Sequence, residues 1–568
     1  MSQVSNDRYK EIIVAYLHDI GKVYQRADRD TRKHDEISAE KIRELFGEDY
    51  EKLFREEAWR EADEFTAGLE REEDEALRQS FKDIVETPLQ SPLSRDKPLY
   101  YSIRILDVRK DPDQYYLRED RSKAAKDYGE VRYNLDSMLK MVRSLGISND
   151  RTLLETINYV FKSTTLFVPA AVYKTVPDTT LYGHSKLTAA FASISRKYVL
   201  VRINIKGIQR FVTNVIGETE ASKRFRGRSL FLQLFQQVLV DYLVTRLGYS
   251  EINNIAPEPG EIILLIDEND RDKALELIEG TLKEIFRWSN YELQFEVHVS
   301  GSYDIKDKAK FKNAYQELWR GPGKLIGETA IEANIYADRF GDFSKKTFEV
   351  VAGNNTCVRG SEVSKFLADS IAPQTFNVGD YVSLMNILSI AVGHSSRNLR
   401  FIIEVLYSGN ERVTEPLLCY DKINVGGGHI MLTRLFIEPL NALLILVSAD
   451  NELDVASLIK SITSIVRIDV NKVDLIKVLK VNDSLNFIPK ESHGLSPGIL
   501  SKTVFGWVMM DTHHPITESG VFKSLDEMGN YIALGVVDAD ELGSRIRALA
   551  ERPGVFEGFS TILSFAIN

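Results

Sequence analysis

The strongest constraint on the fold of this chain is a change in its hydrophobic period close to residue 196. Up to that point apolar residues recur at helical spacing, as in YKEIIVAYLHDIGKVYQ (9–25). Beyond it, the apolar runs YVLVRINI (198–205) and EIILLID (261–267) alternate with helical patterns such as residues 218–248. A strand–helix–strand–strand–helix–strand order is typical of the ferredoxin-like split βαβ fold, although one strand of the set is weakly marked. The sequence therefore predicts an α+β multidomain chain.

Further changes of pattern divide the 568 residues into six predicted regions. A Pro-rich stretch at 87–102 ends the first helical run. The regions are an all-α domain, a helical linker, a ferredoxin-like domain, a helical middle region, a mixed α/β region and the start of a further domain. Their predicted bounds are 1–95, 96–195, 196–305, 306–400, 401–525 and 526–568.

The composition favours an intracellular protein. Two cysteines in 568 residues exclude a disulfide framework and a four-cysteine zinc site. The first residues lack the basic start and apolar block of a signal peptide, and no apolar run approaches the roughly 20 residues of a membrane span. We therefore expect a cytoplasmic protein with no membrane partner. The net charge of −11 argues against a protein that coats DNA, but a basic patch at 223–228 leaves nucleic-acid binding open.

The His18–Asp19 pair, inside AYLHDIGKVYQRA (15–27), is the clearest chemical signal. On an apolar helix closed by Gly21 and Lys22, an adjacent imidazole and carboxylate can bind one metal ion. Metal-assisted hydrolysis of phosphate esters needs that mixture of ligands. Lys22 follows His18 by one turn, and we expect its ammonium group to face a phosphate.

Two further residues are candidates for the same metal site. His34, in KHDEIS, and Asp63, in EADEFTAGLER, would give two imidazoles and two carboxylates in total, enough for one ion. The alternative is that His34 is a surface residue and Asp63 a charge on a helix face. No histidine lies between residues 35 and 183, so a further histidine ligand from this domain is predicted to be missing.

A second group of candidates lies around the first strand-to-helix turn of the predicted sheet domain. Gly207, in GIQRF, suits a tight turn, because glycine adopts left-handed backbone conformations without steric cost. Arg226 and Arg228, in RGRS, could bind phosphate oxygens bidentately. Salt-bridged arginines on a helix are the alternative.

A third group lies near the end of the printed sequence. Asp538 and Asp540, in VVDADELG, alternate on a predicted strand and therefore share one face. Two carboxylates at a strand end, with Gly543 allowing close approach, suit Mg²⁺ that carries a nucleoside triphosphate. The alternative is an ordinary strand end rich in aspartate. Cys357 and Cys419 lack CxxC partners, so neither is a convincing metal ligand.

Six strings in one order resemble the large subunit of type III CRISPR effector complexes, Csm subtype. They are AYLHDIGKVYQRA, ADEFTAGLER, FVPAAVYKTVPDTTLYGHSKLTAAFAS, IKGIQRF, FRGRSLFLQL and LGVVDADELG. The resemblance is strongest at VPDTTLYGHSKLTAAFA and GIQRF…RGRS, and weakest over 306–525. It implies an N-terminal HD nuclease domain, two palm domains related to nucleotide cyclases, and a helical C-terminal domain.

The resemblance also implies roles for particular residues. His18 and Asp19 would bind the metal of a single-stranded DNA nuclease, with Asp63 as third ligand and His34 as fourth; the implied ion is Mn²⁺, Ni²⁺ or Mg²⁺. Asp538 would occupy, with the second aspartate of DADELG, the metal-binding positions of the second palm. In the family that palm condenses ATP, as Mg-ATP, into cyclic oligoadenylates when target RNA is bound. GIQRF and RGRS would belong to the first palm.

Two features of the family are missing from the printed sequence. There is no GGDD turn, and the CxxC zinc element between the palms is reduced to one cysteine. The resemblance thus predicts the N-terminal piece of a split or truncated subunit, with a second polypeptide that completes the second palm. Other implied partners are the small, backbone and guide-end subunits, guide RNA, target RNA and single-stranded DNA.

Two other functions remain open from the sequence. The chain could be a non-catalytic scaffold that anchors guide RNA and neighbouring subunits, with a degenerate HD site. Less favoured is a stand-alone HD phosphohydrolase acting on nucleotides, because it leaves GIQRF, RGRS and DADELG unexplained. Metal content distinguishes the nuclease from the scaffold, and substrate preference distinguishes the nuclease from the phosphohydrolase.

Overall fold

A computed structural model describes most of the chain, with gaps. The described residues are 6–71, 81–93, 97–110, 112–115, 117–124, 126–213, 221–255, 260–289, 292–321, 323–326, 350–351, 355–358, 384–409, 418–425, 428–490, 495–510, 516–517, 520–521 and 552–567. None of the helices in these ranges combines the length and apolar character that crossing a bilayer requires.

The described residues before 197 are mainly helical, as predicted. The helices there are α1 (Asn6–Leu17), α2 (Gly21–Asp28), α3 (His34–Phe46), α4 (Glu48–Arg55), α5 (Arg60–Glu70), α6 (Phe81–Glu86), α7 (Tyr128–Ser144), α8 (Asp150–Thr164) and α9 (Leu181–Ala192). Two short strands, β1 (Leu89–Gln90) and β2 (Tyr100–Tyr101), form an antiparallel pair in the Pro-rich stretch. The helices share one core, to which α1, α8 and α9 contribute fully buried apolar side chains.

The break between α1 and α2 explains the glycine of the HDIGK string. The amide of Gly21 donates a hydrogen bond to the Ser38 hydroxyl, 2.9 Å away on α3. A Cβ at this position would overlap the carbonyl oxygen of His34. Only glycine therefore lets α2 begin this close to α3, and the turn that results places His18 and Asp19 at the end of α1.

The next part of the chain forms a five-stranded antiparallel sheet. Its elements are β3 (Lys197–Lys206), α10 (Ile208–Thr213), α11 (Ala221–Leu247), β4 (Glu261–Asp267), α12 (Arg271–Trp288), β5 (Gln294–Val299), β6 (Tyr303–Asp304), α13 (Ala309–Arg320) and β7 (Lys324–Ile326). Strand β3 lies between β4 and β5, which α12 connects across it, as in a split βαβ unit. The weakly marked strand of the sequence is reduced to a single antiparallel bridge between Asn254 and Leu264.

A second, eight-stranded sheet follows, in the order β15-β14-β10-β13-β12-β11-β9-β8. Its strands are β8 (Val350–Val351), β9 (Asn355–Val358), β10 (Leu399–Tyr407), β11 (Leu418–Val425), β12 (Gly428–Ile437), β13 (Ala442–Ala449), β14 (Val473–Val481) and β15 (Thr503–Val508). Strand β10 lies between β13 and β14, and the helix Val455–Ile465 connects those two strands, so this sheet repeats the split arrangement of the first. Register places Cys357 opposite Cys419, which is disulfide-bonded.

The other helices and strands described here are two helices that lie between strands of this sheet in sequence, a short strand pair and one later helix. They are Leu384–Ser395, Pro497–Leu500, β16 (Ile516–Thr517) with β17 (Gly520–Val521), and Pro553–Ile567. The prediction of a helical region at 306–400 is wrong in part, because β7, β8 and β9 lie within it. Those strands are two to four residues long, too short to show an alternating pattern in the sequence. The predicted strand that carries Asp538 lies outside the described residues.

Candidate metal centre

Four side chains from distant parts of the chain meet near the end of α1. His18 and Asp19 follow the last turn of α1, Asp63 lies on α5, and His184 lies on α9. We call these four residues the histidine cluster. Both histidines and Asp19 are buried, with 2% of each residue exposed, while Asp63 lies at the cluster's more open side. The helical packing of α1 against α5 and α9 therefore builds a polar pocket inside an apolar bundle.

The separations within the histidine cluster suit ligands of a single ion. The Nε2 atoms of His18 and His184 are 3.2 Å apart. Oδ1 of Asp63 lies 3.4 Å from the first and 3.1 Å from the second, and Oδ2 of Asp19 lies 3.5 Å and 3.4 Å from them. Ligands on one metal with bonds of about 2.1 Å are roughly 3.0–3.4 Å apart in octahedral or tetrahedral geometry. His18, Asp19 and His184 each offer one ligand atom within 4.8 Å of the others, so these three fit a divalent metal, and Asp63 lies beside both imidazoles.

The outer nitrogen of each imidazole is fixed by a hydrogen bond. The Nδ1–H of His18 donates to the carbonyl oxygen of Ala15, 2.7 Å away, within α1. The Nδ1–H of His184 donates to Oε2 of the buried Glu70, 2.8 Å away at the end of α5. Both bonds leave the Nε2 lone pair directed into the cluster, which is the tautomer that a metal ligand needs.

The charges of the histidine cluster perturb one another strongly. Burial disfavours the protonated form of His18, but the carboxylates of Asp19 and Asp63 outweigh burial and raise its pKa to about 9. Burial likewise opposes protonation of His184, yet Glu70 and the two cluster carboxylates raise its pKa well above the usual value. Conversely, burial alone would raise the pKa of Asp63, but both imidazoles lower it well below its usual range. A bound cation would take the place of these imidazole protons.

Lys22 and His34 lie around the histidine cluster, each beside a different oxygen of Asp19. The Lys22 ammonium contacts Oδ2, and Lys22 also lines the same cavity as His184. Nε2 of His34 lies 3.2 Å from Oδ1 and 3.0 Å from Asp35, on the partly exposed side. The structure therefore brings both predicted residues to the site, Lys22 facing the cavity and His34 on the outer side of Asp19.

His184 corrects the prediction that a further histidine ligand is missing. Ligands were predicted only within residues 1–95, and 96–195 were predicted to be a linker, whereas α9 packs into the helical bundle and supplies the second imidazole. A signal was present: GHSK is a polar interruption in the otherwise apolar helix of LYGHSKLTAAFA. A histidine buried in such a helix needs polar partners, which here are the cluster carboxylates.

Gly207, Arg226 and Arg228, the candidates around the first strand-to-helix turn, have different surroundings in the structure. Gly207 has a φ of 69°, so the strand-to-helix turn after β3 does require a glycine. The Arg228 guanidinium is buried, where it donates to the carbonyl oxygen of Phe211 at 2.6 Å and contacts Glu292 at 3.2 Å. Arg226 is half-buried on the same helix. Arg228 thus has internal partners, and its contact with phosphate stays a prediction.

The glycine of RGRS has a packing role. A Cβ on Gly227 would overlap the carbonyl oxygen of Ser389, so α11 can pack against the helix Leu384–Ser395 only with glycine at this position. The first and second sheets are therefore joined at the RGRS string. Asp538, Asp540 and Gly543 lie outside the described residues, and their roles stay predictions.

Comparison with known proteins shows what this chain is similar to. Residues 197–334 match the family described as Csm1 subunit domain B. A Streptococcus thermophilus protein, named CRISPR system single-strand-specific deoxyribonuclease Cas10/Csm1 (subtype III-A), is 23% identical over 386 residues, covering 57% of this chain and 49% of that protein. The protein of the same name from Enterococcus italicus is 28% identical over 186 residues, covering 27% of this chain and 24% of that protein.

Solved structures agree with these sequence matches at the level of the fold. The crystal structure of the Csm1–Csm4 cassette in complex with cA3 superposes with a TM-score of 0.54 at 15% identity, covering 98% of this chain and 68% of that chain. Csm1 of T. onnurineus superposes with a TM-score of 0.51 at 17% identity, covering 98% and 66%.

These matches confirm the resemblance that the sequence suggested, to the large subunit of type III CRISPR effector complexes, and the solved structures share the multidomain α+β fold. Within that class the resemblance is to Csm1, also called Cas10, of subtype III-A. The sequence matches span about a quarter and about half of the two curated relatives.

Proposed function

We propose that this chain is a metal-dependent nuclease that cleaves single-stranded DNA at the histidine cluster. The observation that carries this proposal is that the two imidazole nitrogens and the Asp19 carboxylate lie close enough together to bind one ion, with the Asp63 carboxylate beside both imidazoles. The names of the curated relatives, single-strand-specific deoxyribonucleases, supply the substrate class.

The chain's own residues have distinct tasks in this proposal. A divalent cation bound by the histidine cluster would supply Lewis acidity toward a phosphodiester. Two imidazoles among the ligands favour Mn²⁺ or Ni²⁺ over Mg²⁺, which prefers oxygen ligands. Lys22 places a positive charge on the wall of the cavity that His184 also lines, where it can neutralise charge that develops on the phosphate.

The test is cleavage of a labelled single-stranded oligodeoxynucleotide by the purified chain with Mn²⁺. Wild-type protein should cleave it, and the His18→Ala/Asp19→Ala double variant should not. Cleavage retained in the double variant would place the chemistry elsewhere. Wild-type protein that neither binds Mn²⁺ nor cleaves single-stranded DNA would favour the scaffold function, and preference for mononucleotides would favour the phosphohydrolase.

Assembly with other subunits is a further part of this proposal. Several solved structures that share the fold are of Csm1–Csm4 assemblies, one of them described as a subcomplex in the type III-A CRISPR-Csm interference complex, which supports a Csm4-type protein as a partner. Guide RNA and target RNA would then meet the chain within that complex. Co-expression with a Csm4-type subunit should give one species in size-exclusion chromatography, and separate elution of the two proteins would contradict the proposal.

We also propose that the two aspartates of DADELG take part in making cyclic oligoadenylate from ATP. The support is the fold shared with Csm1–Csm4 structures in complex with one ATP and with cA3, together with the glycine turn at Gly207 in the first sheet. The Asp538→Ala/Asp540→Ala variant should then lose ATP conversion by the assembled complex while it retains DNA cleavage. Equal ATP conversion by variant and wild type would contradict this part.

A further inference from the structure

The helix Pro553–Ile567 packs against α5 and α9, which carry Asp63 and His184, although it is far from both helices in sequence. Just before this helix, the guanidinium of Arg552 makes a bidentate ion pair with Asp178, at 2.6 Å and 2.8 Å. The same guanidinium donates from Nε to the backbone carbonyl oxygen of Glu70, 3.1 Å away. Arg552 therefore ties the end of α5 to the loop that precedes α9.

Two glycines bring the backbones together at this contact. A Cβ on Gly183, in the first turn of α9, would overlap the carbonyl oxygen of Gly554. A Cβ on Gly554 would in turn overlap Oε1 of Glu70. The start of the helix Pro553–Ile567 thus lies directly against α9 on one side and against the Glu70 carboxyl group on the other.

Glu70 connects this contact to the metal centre. Its Oε2 accepts the hydrogen bond from Nδ1 of His184, whose Nε2 belongs to the histidine cluster. Its Oε1 has no hydrogen-bond partner among the residues that the structure describes, and the residue is 2% exposed. Packing against Gly554 and the anchoring of its backbone by Arg552 therefore fix where the carboxylate lies.

We propose that Arg552 and Gly554 hold the Glu70 carboxylate against His184 and so position one imidazole of the metal centre. This inference rests on the proposed metal site. Glu70, Arg552 and Gly554 are positioning residues in this arrangement, because none of them reaches the ligand atoms of the cluster. Partners of this kind commonly change metal affinity by about 10–100-fold when they are removed.

The experiment measures Mn²⁺ affinity of the full chain by isothermal titration calorimetry, with the metal alone as probe. Glu70→Ala should weaken binding by about 10–100-fold, and Glu70→Gln by less, because its amide oxygen can still accept the Nδ1–H bond. Gly554→Ala should weaken binding by about tenfold, because the added methyl group displaces the carboxylate.

Two further variants separate positioning from a general loss of packing. Arg552→Ala adds no atoms and should weaken Mn²⁺ binding even if Gly554→Ala fails to fold. Glu557→Gln is the matched control on the same helix: it breaks the 2.7 Å ion pair with Lys186 but leaves Glu70 untouched. This control should bind Mn²⁺ within about twofold of wild type, since it removes no contact to His184.

The possible results separate the inference from the proposed function. If wild type binds Mn²⁺, His184→Ala does not, and the Glu70, Arg552 and Gly554 variants bind like wild type, the positioning inference is overturned and the metal site stands. If Glu557→Gln weakens binding as much as Arg552→Ala, helix packing in general is responsible and the inference is again overturned. If wild type binds no Mn²⁺, the proposed metal site itself fails.

Discussion

The histidine cluster and a second buried group of ionisable residues both hold charged side chains away from solvent, but different side chains balance the charges in each. The second group, which we call the lysine cluster, surrounds Lys477 on β14 and consists of that residue with Glu155, Asp241, Glu251 and Glu404. Nζ of Lys477 lies 2.6 Å from Oδ1 of Asp241 and 2.9 Å from Oε2 of Glu251, and the lysine is fully buried.

Distance alone does not distinguish the two clusters. In each of them three potential ligand atoms lie within 4.8 Å of one another, from His18, Asp19 and His184 in one and from Glu155, Asp241 and Glu251 in the other. Each cluster also has an ammonium group beside a carboxylate, Lys22 beside Asp19 in one and Lys477 beside Asp241 in the other. The difference is the set of potential ligands: the lysine cluster offers carboxylates only, whereas the histidine cluster adds two imidazoles beside a cavity. The comparison shows that the donor set, rather than proximity, identifies a metal centre.

The largest expected effect is the loss of DNA cleavage in His184→Ala. Removal of one of the two imidazole ligands should reduce Mn²⁺-dependent cleavage to the background without metal. The ion would keep only one imidazole and two carboxylates as ligands, and it would therefore bind poorly. Gel assays on a labelled single-stranded oligonucleotide would measure this. The matched control is His429→Ala, which replaces an exposed histidine on β12 and should cleave like wild type. Full activity of His184→Ala would mean that the histidine cluster is not the metal centre, and the contrast with the lysine cluster would fail.

The next largest effect is on stability and belongs to the lysine cluster. Lys477→Met should lower the free energy of unfolding by about 3–5 kcal/mol, because it leaves buried carboxylates without their cation. Thermal unfolding followed by fluorescence would measure this as a reduced midpoint. Lys480→Met, on the same strand and paired with Asp483 at 2.8 Å nearer the surface, should cost only about 1 kcal/mol. Equal midpoints for the two variants would mean that the lysine cluster is not held by Lys477.

A third prediction concerns the pH dependence of the lysine cluster. Burial, reinforced by the neighbouring Asp241, raises the pKa of Glu404 well above its usual value, and burial raises the pKa of Asp241 to about 6. A carboxyl with a raised folded-state pKa stabilises fully below its unfolded-state pKa, and that stabilisation is lost as the pH rises through the folded-state pKa. Wild type should therefore lose stability as the pH rises above about 4, and the part due to Asp241 should be lost by about pH 6.

The variant Glu404→Gln tests the direction of this pH dependence. The variant cannot ionise at this position, so its free energy of unfolding relative to wild type should increase as the pH rises. Unfolding midpoints of both proteins, measured at a series of pH values from about 4 upward, give the comparison. An advantage that stays constant or shrinks as the pH rises would show that Glu404 is already ionised in the folded protein.

The smallest expected effect concerns His34, which lies beside the histidine cluster. His34→Ala should weaken Mn²⁺ binding by about twofold to tenfold, because His34 contacts the outer oxygen of Asp19 and not the ring nitrogens. Calorimetry against His184→Ala provides the scale. A loss as large as that of His184→Ala would make His34 a ligand and enlarge the cluster, as the family resemblance implies.

Much of the first sheet could be predicted from the sequence, because local patterns define it. The predicted strand 261–267 coincides with β4, and the strand 198–205 lies within β3. The glycine turn at Gly207 was also correctly located, since a left-handed residue between a strand and a helix has few alternatives. The eight-stranded order of the second sheet could not be predicted, because pairings such as β10 with β14 join distant residues without a local signal.

The candidate site divides in the same way. His18, Asp19, Asp63 and Lys22 were accessible to sequence reasoning through the HDIGK string and its helical neighbours. His184 was not, because a ligand from α9 depends on how helices pack and not on spacing along the chain. The burial of Arg228 was hidden for a related reason: an arginine on an amphipathic helix looks the same whether it faces solvent or, as here, an internal carbonyl group.

The 166 residues that separate His18 from His184 have a consequence during protein synthesis. When a ribosome has translated the first hundred residues, the chain contains His18, Asp19 and Asp63, but His184 has not yet been added. The nascent chain therefore carries an incomplete centre through this period, and translation must pass α9 before a metal ion can be captured. The order of synthesis thus delays completion of the proposed metal centre until α9 has been made and can pack into the helical bundle.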